Sequence, residues 1–399
     1  MSTLSVVIPA YNEEASITQV VKRILDTQPA LAEIGLDLEL IVVDDGSQDS
    51  TAALLAYNPA VHLVRHDVNR GYGAALKTGF GHATGDWLAF LDADGTYPPE
   101  ALPELYQVAD IHDADLVVGS RMGNGAGGMP ATRRLGNALF AGLVSLIANT
   151  SVTDCASGMR VIRREALPRL YPLPDGLNFT PVMSTRALHE GIRMVEVPIA
   201  YDERTGQSKL SVIRDGARFL HSIIWTALLY NPVRILGMAG LAGVLLALAV
   251  LGGLVVMRLQ GVTTLGIGWA FALFVAQVLA VTGVAVFALG AMFNYLVSLF
   301  HRRSIRQGLF GRTIFSTSLD HHFGWVGLLA ATGGALVGLA SMFLGMRSDW
   351  PISRLWLYLL GSAMLILIGV QLGISWVVMR VLEELSERDR QVATDMNQQ

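Results

Sequence analysis

The stretch Asp86-Trp-Leu-Ala-Phe-Leu-Asp-Ala-Asp-Gly-Thr-Tyr-Pro-Pro-Glu100 predicts an apolar strand that ends in two carboxylates. The strand runs from Trp87 to Leu91 and delivers Asp92 and Asp94, and a helix that starts at prolines follows. Carboxylates one residue apart repel each other, so they must be solvated, hydrogen-bonded or bound to a cation. A hard divalent cation that carries a diphosphate is the natural partner. For such a pair taken alone, a polar turn that ends the strand is the alternative.

The composition divides the chain into two parts. Its 399 residues have a mean hydropathy of +0.45, which is too apolar for a wholly soluble protein. Residues 1 to about 210 have soluble composition, and long apolar runs dominate the remainder. The net charge of −4 argues against nucleic acid as the main partner. The one cysteine, Cys155, excludes an intramolecular disulfide and a cysteine-cluster metal site, and the N-terminal residues show no signal-peptide pattern.

Strand and helix patterns alternate through the first part. Besides the quoted stretch, strands are predicted at residues 4–8, 38–43, 61–65, 115–119 and 195–200. A helix with Asn12 as its N-cap follows the first strand, and a helix of roughly a dozen residues precedes Asp154. Polar residues cluster after the strands, which indicates an open parallel α/β sheet with a ligand site at its carboxyl edge.

The loops after the other strands carry further candidate residues. Asp44 and Asp45 follow the second strand, and Gly71 and Gly73 open the helix after the third. The two glycines fit neither dinucleotide nor P-loop spacing, so a tight turn and a ligand contact both stay open. Two further loops carry residues suited to phosphate, although the first also fits a solvated, disordered turn. They are Arg121, Arg133 and Arg134 around the glycine-rich loop 122–130, and Arg204, Ser208 and Lys209 around Gly206.

The second part predicts a membrane protein. Residues 212–230 alternate charged and apolar side chains, which is typical of a helix at the membrane surface. Four apolar runs, at about 235–257, 269–297, 323–346 and 353–380, are each long enough to cross a bilayer. The loop 298–322 holds four arginines (Arg302, Arg303, Arg306, Arg312), so the positive-inside rule places it and both termini in the cytoplasm. Asp320-His321-His322 is interpreted as a polar flank rather than a metal site.

Together these residues resemble family 2 glycosyltransferases of the GT-A fold, and among them the polyprenyl-phosphate glycosyltransferases. This group contains dolichol-phosphate mannose synthase and bacterial undecaprenyl-phosphate sugar transferases. The ordered motifs are Ile8-Pro-Ala-Tyr-Asn-Glu13, Val43-Asp-Asp-Gly-Ser47, Leu91-Asp-Ala-Asp94, Gly119-Ser-Arg121 and Gly206-Gln-Ser-Lys-Leu210. The resemblance covers residues 4 to about 232 with ordered motifs, and the membrane part matches only in type. Together with the apolar runs, it predicts a catalytic domain at 1–210, an interfacial helix at 211–232, four spans within 233–382 and a cytoplasmic tail at 383–399.

The resemblance also implies roles for individual residues. The nucleotide-sugar would be held by Pro9, Tyr11, Glu13, Asp44, Asp45, Gly71, Lys77 and Asp92. Asp92 and Asp94 would hold Mg²⁺ or Mn²⁺, and with Arg121 and Arg204 they would form the catalytic set. The acceptor phosphate would be gripped by Arg121, Arg133 or Arg134, Arg204, Ser208 and Lys209. Many members continue the Asp-Ala-Asp motif with Leu-Gln, whose Gln helps to bind metal; Gly95 and Thr96 stand here instead.

The expected reaction is inverting transfer of one hexose, glucose or mannose, from a UDP- or GDP-sugar to undecaprenyl or dolichyl phosphate at a bacterial plasma membrane. A lipid phosphate is already an anion, so it needs positive charge rather than a strong base. A polysaccharide synthase, or a transferase to another lipid, would need an activating carboxylate, for which Asp154 and Asp202 are the leads. The Gln-X-X-Arg-Trp motif expected of processive synthases is missing from the sequence. A nucleotide-sugar-binding scaffold without activity is the third alternative, and the sequence indicates no oligomeric state.

Overall fold

The computed structural model describes residues 2–123, 129–202, 212–262, 266–301, 319–348 and 352–396. The chain forms two compact units, the first ending at Ala227 and the second beginning at Leu228. Several predicted residues, namely Arg204, Ser208, Lys209 and the arginines of the loop 302–318, lie outside the described residues.

The first unit is built on one seven-stranded sheet. Its strands are β1 (Ser2–Ala10), β2 (Leu36–Asp44), β3 (His62–Arg65), β4 (Trp87–Phe90), β5 (Leu116–Ser120), β6 (Arg160–Arg163) and β7 (Met194–Pro198). They are ordered β3-β2-β1-β4-β6-β5-β7 across the sheet. The strands predicted from the apolar runs are present, and β6 is an addition that the sequence did not predict.

Nine α-helices precede Pro232 among the described residues. They are α1 (Ile17–Leu25), α2 (Gln28–Glu33), α3 (Thr51–Leu55), α4 (Tyr72–His82), α5 (Leu102–Ile111), α6 (Ala131–Ala148), α7 (Leu167–Leu170), α8 (Phe179–His189) and α9 (Val212–Tyr230). Alternate residues of β1 enter different cores: Val6 packs with α1 and α5, and Val7 packs with α4 and α8. Because both faces are buried, the strands have continuous apolar runs rather than an alternating pattern.

The sheet is mixed, and this corrects the expectation of a wholly parallel sheet. β6 lies between β4 and β5 and is antiparallel to both, with Phe90 opposite Arg160 and Trp87 opposite Arg163. Its four residues begin and end with arginine, so they carried no apolar run to predict a strand. Because β6 runs opposite to β4 and β5, it begins at the edge of the sheet where those two strands end. The loop before Arg160 is therefore brought to the carboxyl end of β4, directly beside Asp92.

The second unit consists of long helices. They are α10 (Pro232–Leu259), α11 (Ile267–His301), α12 (Phe323–Ser348) and α13 (Ile352–Met396). Within the described residues, four helical segments are long and apolar enough to cross a membrane, as the sequence predicted: Pro232–Leu259, Ile267–Val297, Phe323–Arg347 and Leu355–Leu385. Glycines allow the helices to approach closely, since a Cβ on Gly283 would lie 2.7 Å from the Gly240 carbonyl oxygen.

The two histidines before α12 form polar contacts with other side chains. Arg380 donates to His321 Nδ1 at 2.9 Å, and Trp325 Nε1 donates to His322 Nδ1 at 3.0 Å. Among the described residues, no group of three or more His, Cys, Asp or Glu side chains could hold a metal ion. The interpretation of Asp320-His321-His322 as a polar flank stays a prediction.

Candidate active site at the carboxyl edge of the sheet

A polar cavity of about 470 Å³ opens where β1, β2 and β3 end. It is lined by Tyr11, Gly46, Ser47, Gln48, Arg65, His66, Asp67, Val68 and Asn69. The lining comes from three consecutive strand-to-helix loops, which parallel strands deliver to one edge of a sheet. Of the predicted nucleotide-sugar residues, Tyr11 lines this cavity directly, and Pro9 is buried in β1 opposite Val43.

The loops after β1 and β2 are joined by hydrogen bonds. Asn12 has a left-handed backbone (φ 50°), its N–H donates to Ser47 Oγ at 2.9 Å, and its Oδ1 accepts from the Gln48 N–H at 2.8 Å. The Glu13 N–H donates to Thr51 Oγ1 at 2.8 Å. Helix α1 begins only at Ile17, so the expectation that Asn12 caps that helix is wrong. Asn12 instead fixes the wall of the cavity.

The two acids after β2 are held by the chain's own donors. Asp45 accepts from the N–H groups of Arg70 and Gly71, both at 2.8 Å, and its Oδ1 lies 2.7 Å from His66 Nδ1. Asp44 is fully buried and accepts from the Ser47 N–H at 3.2 Å and from Arg65 Nε at 3.3 Å. Both carboxylates therefore shape the loops that line the cavity.

The acid pair at the end of β4 is supported by neutral donors. The Tyr72 hydroxyl donates to Asp92 Oδ1 at 2.8 Å. Asp94 is buried, and its Oδ1 accepts from Thr96 Oγ1 at 2.6 Å and from the Thr96 N–H at 3.2 Å. Thr96 thus orients Asp94. Tyr72 therefore supports Asp92, and Thr96 supports Asp94.

Gly158 closes against Asp92 from the loop before β6. A Cβ built on Gly158 would lie 2.5 Å from Asp92 Oδ2 and 2.7 Å from Oδ1, closer than real Cβ contacts allow. The Gly158 N–H donates to the Tyr97 hydroxyl at 2.7 Å. Only a residue without a side chain leaves room for the Asp92 carboxylate in this position.

A buried arginine holds that loop in place. Arg160 is 0% exposed, and its guanidinium donates to the carbonyl oxygens of Ser157 at 3.1 Å and Cys155 at 2.9 Å. Burial lowers the pKa of Arg160, and burial raises the pKa of the neighbouring Cys155 thiol to about 12. Since the thiolate is the reactive form, Cys155 is a packing residue here rather than a nucleophile.

Arg121 and Asp154 form a buried bidentate ion pair. Arg121 Nε and Nη2 each donate at 2.8 Å to the two oxygens of Asp154, and the Arg121 N–H adds a third bond at 3.0 Å. Burial alone raises the pKa of Asp154, but the charge and hydrogen bonds of Arg121 outweigh it and leave that pKa below its usual value. Asp154 is thus a weak base, and this does not favour its alternative role of activating a hydroxyl. Asp202 is exposed, and its N–H donates to the Thr96 carbonyl at 3.0 Å.

Lys77 and Gly71, both predicted to contact the nucleotide, lie against the loop that contains Asp175. Lys77 Nζ lies 2.5 Å from Asp175 Oδ1 and donates to the Leu173 carbonyl at 3.1 Å. Gly71 has φ +102°, and a Cβ there would lie 2.6 Å from the Asp175 carbonyl oxygen. The Lys77 ammonium thus pairs with another loop in this structure, and its assignment to the nucleotide stays a prediction. For Gly71 the tight turn is the interpretation that the structure favours.

Arg133 and Arg134 lie in the first turn of α6, followed by an apolar stripe. Leu135, Leu139 and Leu146 are 64%, 66% and 53% exposed and lie on one face of the helix. Phe140 of α6 packs edge-on against Phe219 of α9, with ring centroids 6.0 Å apart. α9 itself exposes Leu220 and Trp225. Exposed apolar patches of this kind mark contacts with proteins or membranes.

Sequence reasoning missed four residues of this edge: Tyr72, Gly158, Arg160 and Asp175. Tyr72, Gly158 and Asp175 each contact a residue far away in the sequence, so no local motif indicated the contact. Arg160 holds carbonyl oxygens of its own loop, which a sequence pattern does not reveal either. The stripe on α6 was visible in principle, because its leucines have helical spacing.

Residues 5–170 match Glycosyl transferase family 2, and residues 232–393 match a domain of unknown function (DUF8752). The undecaprenyl-phosphate 4-deoxy-4-formamido-L-arabinose transferase of Edwardsiella ictaluri is 32% identical over 67% of this chain and 79% of that protein. The enzyme of the same name from Pseudomonas fluorescens is 33% identical, and the match covers 67% of this chain and 76% of the length of that enzyme. The low-salt glycan biosynthesis hexosyltransferase Agl6 of Haloferax volcanii is 34% identical over 56% of this chain and 54% of its own.

Among solved structures, glucosyl-3-phosphoglycerate synthase of Mycobacterium tuberculosis aligns with 57% of this chain and 81% of its own. Its sequence is 23% identical and the TM-score is 0.46.

Proposed function

Since this chain belongs to glycosyl transferase family 2, in its polyprenyl-phosphate group, we propose that it transfers a single sugar from a nucleotide-sugar to a polyprenyl phosphate. It is a glycosyltransferase and a membrane protein. The acid pair Asp92 and Asp94, supported at the end of β4 by Tyr72, Thr96 and Gly158, is the observation that carries the proposal.

The residues at the acid pair fit a divalent cation, Mg²⁺ or Mn²⁺. Two carboxylates supply the hard oxygen ligands that such ions prefer, and Gly158 leaves the space beside Asp92 without a side chain. Asp92 and Asp94 would hold the ion, and Thr96 would keep Asp94 in place. The ion would neutralise the charge that develops on the leaving diphosphate.

The cavity beside the acid pair suits the nucleoside part of the donor. Its lining is polar and its volume of about 470 Å³ lies in the range typical of small-molecule sites. In this proposal Tyr11 contacts the nucleoside from the loop after β1, together with Pro9 and Glu13. Asp44 and Asp45 act by holding the loops after β2 and β3, because their oxygens accept from the chain itself.

The acceptor phosphate would be bound by arginines on the other side of the acid pair. Arg121 is preset by Asp154, and Arg133 and Arg134 stand at the beginning of α6. The predicted partners Arg204, Ser208 and Lys209 lie outside the described residues and remain part of the proposal. A lipid phosphate needs no general base, in keeping with a site whose buried carboxylate, Asp154, is already paired with Arg121.

We infer one-step inversion at the anomeric carbon, which gives a β-linked sugar phosphate from an α-linked donor. The phosphate oxygen attacks from the face opposite the departing diphosphate, so the chain's residues need only bring the two anions into line. The catalytic unit and both termini would be cytoplasmic, because the loop 298–322 carries the arginines that favour that side.

The proposal is tested with purified full-length protein, Mn²⁺ and undecaprenyl phosphate or dolichyl phosphate in liposomes. Donors are UDP-glucose, GDP-mannose and a nucleotide-linked 4-deoxy-4-formamido-L-arabinose, since the relatives' names differ in the sugar. Mass spectrometry of the extracted lipid should show one added sugar, and NMR of the product should show inverted configuration. A retained configuration, or transfer to a lipid hydroxyl with no product on either phosphate, would refute it.

The stripe on α6 yields a prediction about access to the lipid. Replacing Leu139 and Leu146 together by Glu should raise the KM for polyprenyl phosphate in liposomes about 10-fold, because each leucine loses its favourable burial in lipid. The kcat should change little, since neither side chain reaches the acid pair. The matched control is Leu54→Glu, a leucine that is 49% exposed on α3. If the double variant and Leu54→Glu have the same effect on KM, the stripe has no special contact with lipid.

A further inference from the structure

We propose that Tyr72 is a positioning residue, which fixes the carboxylate of Asp92 in the orientation that binds the divalent cation. The inference rests on the proposed function, because it assumes that the acid pair holds that ion. Its basis is the hydrogen bond of 2.8 Å that the Tyr72 hydroxyl donates to Asp92 Oδ1.

A carboxylate turns easily about its last torsion, since that torsion has broad wells. Asp92 therefore needs support from outside its own backbone if its oxygens are to meet an ion at a set angle. Tyr72 supplies a directed bond to Oδ1. A Cβ on Gly158 would lie 2.5 Å from Oδ2, so any side chain at that position would push the carboxylate out of this orientation. The Tyr72 hydrogen bond therefore restricts the rotation of the carboxylate.

The tyrosine is itself held firmly. It is the first residue of α4, and the next two N–H groups, of Gly73 and Ala74, donate to the Asp175 carbonyl at 2.7 and 3.1 Å. Its ring packs edge-on against Phe179 with centroids 6.4 Å apart. Because the ring and the backbone of Tyr72 are both fixed, its hydroxyl can hold the Asp92 carboxylate in one orientation.

The residues just before Tyr72 are bonded to the loop that forms the wall of the cavity. The N–H groups of Arg70 and Gly71, just before it, both donate to Asp45, and Asp45 also contacts His66 in the cavity wall. One short segment, residues 70–72, therefore joins the cavity to the acid pair. Within this segment, the side chain of Tyr72 contacts Asp92.

The test is Tyr72→Phe, which removes one oxygen and keeps the ring against Phe179. Mn²⁺ is titrated into the purified full-length protein, and free Mn²⁺ is read by electron paramagnetic resonance. The Mn²⁺ dissociation constant should rise about 10-fold, as is usual when a support of a metal ligand is lost. The apparent Tm should stay within about 3 °C of the unsubstituted protein, because the change leaves no large cavity.

Two control variants make the result decisive. Tyr106→Phe changes a tyrosine that packs on Trp87, away from the acids, and should leave Mn²⁺ binding unchanged. Asp94→Asn should lose Mn²⁺ binding. If Tyr72→Phe binds Mn²⁺ like the unsubstituted protein while Asp94→Asn does not, the role of Tyr72 is refuted and the metal site stands. If Asp94→Asn also binds normally, the proposed metal site itself fails, and equal weakening by both Phe variants would refute a specific role for Tyr72.

Discussion

Replacing Gly158 by alanine is expected to lower kcat about 100-fold, because it displaces Asp92 by a large part of an ångström and errors of that size are costly in a preorganised site. The added Cβ would lie 2.5 and 2.7 Å from the two Asp92 oxygens and 2.8 Å from its carboxyl carbon. Gly158 cannot easily retreat, since its N–H is bonded to Tyr97 and its loop is held by Arg160. Asp92 must therefore turn, and it loses the Tyr72 hydrogen bond when it does.

The matched controls are Gly81→Ala and Gly136→Ala, where a Cβ would meet nothing within 4 Å. Both positions are helical, so alanine there should stabilise the protein by up to about 1 kcal/mol without changing kcat. The rates are compared in the liposome assay at saturating donor, and circular dichroism checks the fold. If Gly158→Ala keeps more than about a third of the kcat, Asp92 does not need the position that the structure gives it.

Replacing Asp154 by asparagine is expected to cost about 3–5 kcal/mol of the free energy of unfolding, because it leaves the Arg121 guanidinium buried without its counter-charge. The Asp154 side chain is 0% exposed and that of Arg121 is 13% exposed, so water replaces little of the lost bond. For a unit of this size the apparent Tm should fall by about 10 °C. Asp113→Asn is the control, because Asp113 pairs with Arg163 and Arg193 from a side chain that is 61% exposed.

The same pair predicts a pH dependence of stability. The pKa of Asp154 is lowered in the folded protein, so its contribution is complete above the unfolded value of about 3.9 and is lost as the pH falls through the lower folded value. Thermal unfolding of the unsubstituted protein and of Asp154→Asn should therefore give Tm values that converge in acid. A Tm difference that stays constant from neutral pH to about pH 3 would contradict this account.

The sequence indicated the parts of the site that lie directly after strands. Apolar runs locate β1, β2 and β4, and parallel strands must bring their ends to one edge, so the grouping of Tyr11, Asp44 and Asp92 could be predicted. The four apolar helices followed from length and hydropathy alone. In each case a local pattern and one general rule were sufficient.

The contacts between distant segments could not be predicted in this way. Lys77 pairs with Asp175 and Arg121 pairs with Asp154, and in neither case does sequence spacing identify the partner. Strand β6 was not predicted because its place is set by pairing with β4 and β5 rather than by its own composition. The support of Asp92 by Tyr72 and Gly158 depends on these same long-range placements.

Strand β6 also sets the order in which the catalytic unit is completed during synthesis. β1, the partner of β4 on one edge, is made before β4, but the partner on the other edge is not present until Arg160–Arg163 has been made. An uncovered edge of a buried, apolar strand is a template for pairing with the wrong chain. The nascent enzyme thus carries its acid pair before the wall that closes against it exists, and this interval is where we expect chaperones to be needed most.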